Sequence, residues 1–219
     1  MNQAEILHAC DHTLLKQTAT WKQIQQLCDD GVRFGCASVC IPPSYVAQAV
    51  EYLQGKLPVC TVIGFPNGYN TTRCKCFESA DAVRNGAAEI DMVINLGWVK
   101  DGLFDAVEAE IRAVREACDG RPLKVIIETC LLTEAEKVTL CRTVTAAGAA
   151  FIKTSTGFGG GGATVADVAL LAAHVGSGVQ VKASGGITGF SDAEEMLRAG
   201  ASRLGTSRVV GAVKEAGGN

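Results

Sequence analysis

The chain has 219 residues and a formal net charge of −3, with 47% hydrophobic and 5% aromatic residues and 25 glycines. That length suits one large domain, and so apolar a composition excludes a disordered chain. A slightly acidic balance without a basic cluster gives no electrostatic footprint for nucleic acid or an anionic membrane, and no run approaches the roughly 18 apolar residues of a membrane span.

Short apolar runs alternate with longer amphipathic ones from end to end, the rhythm of βα units. The N-terminus MNQAEILHACDHTLLKQ has no apolar stretch behind a basic start, so a cytoplasmic protein is expected, and Met1 to about Leu7 reads as a short leading helix. The first strand falls near residues 9–12 and leads into Asp11 and Thr13; a helix over 21–30 follows, with Gly31 placed to stop it. Strands near 37–41, carrying Cys40, and 59–64 come next. In the strand at 89–95, alternation sets Glu89, Asp91, Val93 and Asn95 on one face and bulky apolar residues on the other. The polar face is expected to line an interior. A helix over 103–118 precedes a strand at 123–128, and Thr133 with Glu136 has capping-box spacing ahead of a helix over 134–147 that Gly148 ends. The sixth strand, 150–154, carries Lys153 and runs into the glycines at 157 and 159–162. After a helix over 165–174, the seventh strand, 179–183, carries Lys182 and runs into Ser184-Gly185-Gly186-Ile187. Ser191 with Glu194 repeats the capping-box spacing, Gly86 and Gly200 stand where helices should end, and the eighth strand, 203–205, opens into Gly205-Thr206-Ser207-Arg208.

Eight such strands close into a barrel or lie open as a doubly wound sheet. An open dinucleotide fold carries its glycine fingerprint after the first strand, where this chain has Asp11-His12-Thr13-Leu14 instead. The glycines gather late, as in TIM barrels, whose phosphate loops follow strands seven and eight. The expected fold is a single-domain (β/α)8 TIM barrel over residues 1–219, with a short N-terminal helix.

Lys153 and Lys182 are ammonium groups planted in apolar runs, each followed at once by small and glycine-rich residues. If both point inward from neighbouring strands ~4.8 Å apart, one loses its proton more easily, because a cationic neighbour and desolvation both lower an amine pKa. A neutral lysine is a nucleophile able to form a Schiff base with a carbonyl. The alternative for each is a structural ion-pair partner. Asp91 reads either as an acid–base group within reach of an amine or as half of a buried salt bridge. Asp11 and Thr13 read as ligands of substrate hydroxyls or as an ordinary helix N-terminal signal. The loops at Ser184–Ile187 and Gly205–Arg208 offer backbone N–H groups and hydroxyls near helix N-termini, a phosphate-binding arrangement, although glycines also simply make turns. Cys40 near the end of strand two either faces the pocket or is a buried inert thiol. Most of the ten cysteines sit singly in apolar or helical segments, and the Cys36/Cys40 and Cys74/Cys76 spacings lack a second ligand pair, with His8, His12 and His174 the only imidazoles. No metal site is expected.

Through DHTLL (11–15), IGFPNGYNTT (63–72), EIDMVIN (89–95), KVIIET (124–129), FIKTSTGF (151–158), VKASGGI (181–187) and GTS (205–207), nearly the whole chain resembles the deoxyribose-phosphate aldolase family. The resemblance implies a cytoplasmic, metal-independent and cofactor-free TIM-barrel lyase that reversibly cleaves 2-deoxy-D-ribose 5-phosphate to acetaldehyde and D-glyceraldehyde 3-phosphate. It puts the Schiff-base lysine at Lys153, a second active-site lysine at Lys182 and the proton-relay aspartate at Asp91. It also puts the phosphate on the amides of Gly185 and Gly186, helped by Gly157, Gly205 and Ser207, with Asp11 and Thr13 near the sugar hydroxyls. The implied partners are small sugar phosphates and aldehydes, with a homodimer as the candidate assembly. Some relatives have lysine where Phe158 stands, serine where Arg208 stands, and a terminal tyrosine where this chain ends Ala216-Gly217-Gly218-Asn219. A cationic role for Arg208 and an outward-pointing one both stay open.

Overall fold

The computed structural model describes residues 1–217; of the terminal run noted above, Gly218 and Asn219 lie outside the described residues. Eight parallel strands, β1 (Cys10–Thr13), β2 (Ser38–Ile41), β3 (Val59–Ile63), β4 (Glu89–Val93), β5 (Leu123–Ile126), β6 (Phe151–Lys153), β7 (Gln180–Ser184) and β8 (Arg203–Thr206), pair in sequence order, and β8 closes on β1. The sheet is closed, as the late gathering of glycines predicts, and the fold is a (β/α)8 barrel. Helix α1 (Gln3–His8) leads, and around the barrel run α2 (Trp21–Arg33), α3 (Val46–Leu53), α4 (Thr72–Arg84), α5 (Leu96–Lys100), α6 (Phe104–Ala117), α7 (Glu134–Ala147), α8 (Val165–His174), α9 (Phe190–Arg198) and α10 (Arg208–Gly217).

The alternation of each strand divides the molecule into two interiors. Outward residues such as Val39, Ile63, Ile90, Met92, Val125, Ile152 and Leu204 are buried beneath the helices in one continuous apolar layer. The inward set is polar over much of its height, with Asp11, Asp91, Lys124 and Lys182 wholly excluded from solvent. Helix α2 packs Ile24, Leu27, Cys28 and Gly31, one helical stripe, onto the sheet. Gly31 is a packing residue rather than the expected stop: a Cβ there would meet Leu57 Cδ2 at 2.6 Å, and the helix continues to Arg33.

Thr133 and Glu136 form the capping box read from their spacing, and Gly148 caps α7 in the left-handed conformation. Ser191 and Glu194 do not form theirs. Helix α9 begins at Phe190 with Gly189 as its N-cap, so Ser191 already lies in the first turn, and Asp192 instead accepts the Thr188 N–H at 2.8 Å. Asn95 likewise leaves the strand assigned to it. Its side chain accepts the Trp98 N–H and caps α5, the preferred use of Asn at such a junction.

Candidate active site

Parallel pairing sets Lys153 beside Lys182, and Asp91 beside Lys124. Asp91 is the hub of the barrel interior. Its Oδ2 accepts from Lys153 Nζ and Lys182 Nζ, both at 2.7 Å, and its Oδ1 from Lys124 Nζ at 2.9 Å. Strands β4 and β7 are not neighbours, so these contacts cross the barrel. Lys182 Nζ also lies 2.5 Å from Asp11 Oδ2, and Lys124 Nζ 2.6 Å from Glu89 Oε2. At the N-terminal end of the strands Arg203 closes the cluster, donating to Asp11 Oδ1 at 2.7 Å and to Glu89 Oε2 at 3.0 Å.

The charges sustain one another. Burial opposes ionisation of Asp91, yet the ammonium groups of Lys124, Lys153 and Lys182 hold its carboxyl well below the ordinary carboxylate range. Burial likewise opposes charge on Lys182, but Asp11 and Asp91 push it above the usual lysine value, and Asp91 with other anionic neighbours does the same for Lys124. Lys182 is thus a fixed cation whose Nζ shares one carboxylate oxygen with Lys153. The coupling expected between two bare amines runs through Asp91, which lies between them.

Above this cluster, at the C-terminal end of the strands, a cavity of about 380 Å³ is lined by Lys153, Thr13, Gly157, Gly185, Gly186, Gly205, Ser207 and Arg208. Lys153 is 3% exposed, whereas Lys124 and Lys182 are sealed beneath it. Gly185 and Gly186 have φ of 78° and 75°, a left-handed pair that side chains disfavour. A Cβ on Gly205 would meet Ser184 Cβ at 2.7 Å. Helix α10 starts at Arg208, whose own N–H donates to Thr206 Oγ1 at 3.0 Å, so its N-terminal dipole end adjoins the cavity, a setting suited to an anion. Arg208 borders the cavity at that end. Phe158 is half-exposed and lies outside this cavity's lining, edge-on to Phe65 with ring centroids 5.4 Å apart.

Asp11 sits deeper than its place after the first strand suggests: its carboxylate is wholly buried among Lys182, Arg203 and Ser38, whose Oγ donates to it at 2.7 Å, so it lies beneath the cavity and not on its wall, while Thr13, two residues on, lines the wall. Cys40 faces the barrel interior, in register with Cys60. Cys40, Cys60 and Asp91 bring ligand-type atoms within 4.8 Å of one another. Three ammonium groups already occupy Asp91, however, and their charge disfavours a further cation there.

Lys124, Arg203 and Cys60 belong to the cluster and were not singled out from sequence. The signal for Lys124 was present, an ammonium inside the apolar run LKVII, but no glycines follow it.

A family model described as DeoC/LacD family aldolase matches residues 6–213. The chain is 58% identical over 214 residues to a deoxyribose-phosphate aldolase from Streptococcus agalactiae, covering 98% of this chain and 96% of that protein; a Streptococcus pyogenes enzyme of the same name matches with the same identity and coverage. Among solved structures, the tetrameric deoxyribose phosphate aldolase from Aeropyrum pernix superposes with a TM-score of 0.90 at 30% identity, covering 98% of this chain and 93% of that one.

Proposed function

This chain belongs to the DeoC/LacD family of aldolases and is an aldolase lyase, and from that premise we propose that it reversibly cleaves 2-deoxy-D-ribose 5-phosphate to acetaldehyde and D-glyceraldehyde 3-phosphate through an imine on Lys153. The observation that carries the reading is that one cavity has Lys153 at its floor and the Gly185/Gly186 amides, Ser207 and Arg208 at its side. An open-chain sugar phosphate has an aldehyde at one end and a phosphate at the other, matching those two features.

In this reading the neutral Lys153 amine adds to C1 and loss of water gives the iminium ion. The C2–C3 bonding pair then flows into the iminium, the C3 hydroxyl loses its proton, and glyceraldehyde 3-phosphate departs. The remaining enamine is protonated at its terminal carbon, and water releases acetaldehyde and the free amine. Asp91 Oδ2, within 2.7 Å of both Lys153 and Lys182, is placed to take up and return the protons of amine addition. The interior cluster holds Lys124, Lys153, Lys182 and Arg203 against Asp11, Glu89 and Asp91. Departure of one proton thus leaves the buried charges balanced, and Lys153 is the member that borders the cavity. Gly157, Gly185, Gly186, Gly205, Ser207 and Arg208 hold the phosphate, and Thr13 lies near the sugar hydroxyls. The proposal extends to a cytoplasmic role in deoxyribose phosphate catabolism and to a homodimer as the assembly to test by sedimentation.

Incubation with acetaldehyde and borohydride should leave a reduced two-carbon adduct on the peptide containing Lys153. The Lys153→Ala variant should lose both adduct and cleavage while phosphate still raises its Tm. An unmodified Lys153 peptide from active enzyme would remove the imine mechanism; a wild-type protein stabilised by phosphate but unable to cleave would reduce the barrel to a binder.

A further inference from the structure

Glu128 follows β5, and it is a non-glycine residue in the left-handed region, with φ 52° and ψ 66°. Backbone strain of this kind persists only where the surroundings over-determine it. Here they do. The side chain is 2% exposed and reaches across to the loop after β6. Both carboxylate oxygens accept the Thr156 N–H, at 3.2 and 3.3 Å, and Oε2 also accepts the Thr156 hydroxyl. Thr156 Oγ1 in turn accepts the Phe158 N–H at 3.0 Å. On the other side Gly159 lies so close that a Cβ there would stand 2.7 Å from Glu128 Cδ. One buried carboxylate therefore fixes Thr156 and, through the Thr156 hydroxyl, the Phe158 N–H, and with them the intervening Gly157; Thr156 and Gly157 line the cavity together with Gly185 and Gly186.

We propose that Glu128 is a positioning residue that sets the preference for phosphorylated over unphosphorylated substrates, by holding the loop after β6 at the width the phosphate requires. The inference rests on the reading of the cavity given above. Glu128 touches no part of the cavity floor; it acts only through Thr156 and Gly157. Its carboxylate charge is what the arrangement needs. Two oxygens must accept from donors on Thr156, and an amide supplies one acceptor while its nitrogen faces those donors as another donor.

The test compares kcat/KM for 2-deoxyribose 5-phosphate with that for 2-deoxyribose in wild type, Glu128→Gln and Gly159→Ala, with inhibition by inorganic phosphate measured alongside. Gly159→Ala disturbs the same carboxylate from the opposite side without altering it, and it keeps the test decisive should Glu128→Gln fold poorly. In both variants the ratio of the two kcat/KM values should fall by about tenfold, through KM for the phosphorylated substrate, the size of effect a misplaced positioning element produces. Inhibition by phosphate should weaken in parallel. A ratio within twofold of wild type, or an equal loss on both substrates, would overturn the proposal while leaving the aldolase reading intact. Failure of the wild type to cleave either substrate would bring down both.

Discussion

Lys75 and Lys182 are equally sealed from solvent, yet the protein treats them in opposite ways. Lys75 projects from α4 into the layer outside the barrel, where its Nζ donates to Glu110 Oε2 of α6 and to the Val93 carbonyl, each at 2.8 Å. Burial pulls its pKa below the ordinary lysine value, and Glu110 offsets this only in part. Lys182 shares two carboxylates, Asp11 and Asp91, and is pushed up. Burial of a lysine therefore marks neither its charge nor its use. The number of carboxylates around it decides the first, and a link to the cavity decides the second: Lys182 shares Asp91 Oδ2 with Lys153, which borders the cavity. Among the described residues Lys75 has no such link: its Nζ bonds only Glu110 and the Val93 carbonyl, and the space for its stem comes from Gly64, where a Cβ would stand 2.9 Å from Lys75 Cε.

Breaking each site at its carboxylate gives the largest contrast. Asp91→Asn leaves three ammonium groups around a neutral amide, and Glu110→Gln leaves one. Each change should lower stability by about 3–5 kcal/mol, the usual consequence of stranding a buried charge. Only Asp91→Asn should also abolish turnover; Glu110→Gln should retain wild-type activity per folded molecule. Urea denaturation beside specific activity separates the two, and an activity loss in Glu110→Gln beyond its loss of folded protein would show that the outer pair is coupled to the site. Replacing the outer pair together, as Lys75→Met with Glu110→Leu, should come close to neutral, because a well-packed apolar pair removes the desolvation penalty along with the attraction.

The same contrast explains what was visible in the chain beforehand. The barrel was legible because its period switches between strand and helix, and because glycines gather where the last strands end. Lys153 and Lys182 stood out as ammonium groups in apolar runs, and Asp91 as the polar face of a strand. Lys75 and Glu110 were not legible: each lies in a helix rich in charge, and only the approach of α4 to α6 buries them together. From its place on β1 alone Asp11 reads as a substrate ligand, because its depth depends on what β7 and β8 bring to meet it. Glu128 gave no signal at all, since a left-handed backbone at glutamate is imposed by its contacts with the neighbouring loop and not by its own preference.

A third buried group, His12, sharpens the comparison because it titrates without a carboxylate bonded to it. Burial pushes its imidazole down to about 4, against the attraction of Asp30. The unfolded chain protonates it near pH 6.5, so the unfolded state binds the extra proton first and stability is lost as pH falls from about 6.5 to about 4. The loss should be on the order of 3 kcal/mol. Asp11 and Asp91, both lowered, weaken the fold only below their ordinary value of 3.8. Their window lies under that of His12. Denaturation midpoints at pH 7 and 4.5 should converge in His12→Gln and differ in wild type; equal sensitivity of the two proteins would mean the acid limb belongs to the carboxylates.

The smallest effect, and the most direct reading of the opposition between Lys75 and Lys182, lies on the alkaline side. For Lys75 the folded pKa is below 10.5, so between those two values the unfolded chain holds more protons and stability rises with pH. For Lys182 and Lys124 the folded pKa is above 10.5, so their contribution is complete below that value and is lost as pH climbs past it. Wild type should therefore show a shallow rise in unfolding free energy approaching pH 10.5 and a fall beyond it. The Lys75→Met/Glu110→Leu double variant should lose the rise and keep the fall, since its barrel interior is untouched. Chemical denaturation at closely spaced pH values resolves the two limbs. Persistence of the rise in the double variant would place its origin elsewhere and would remove the claim that carboxylate number, with burial held equal, decides the charge of a lysine in this fold.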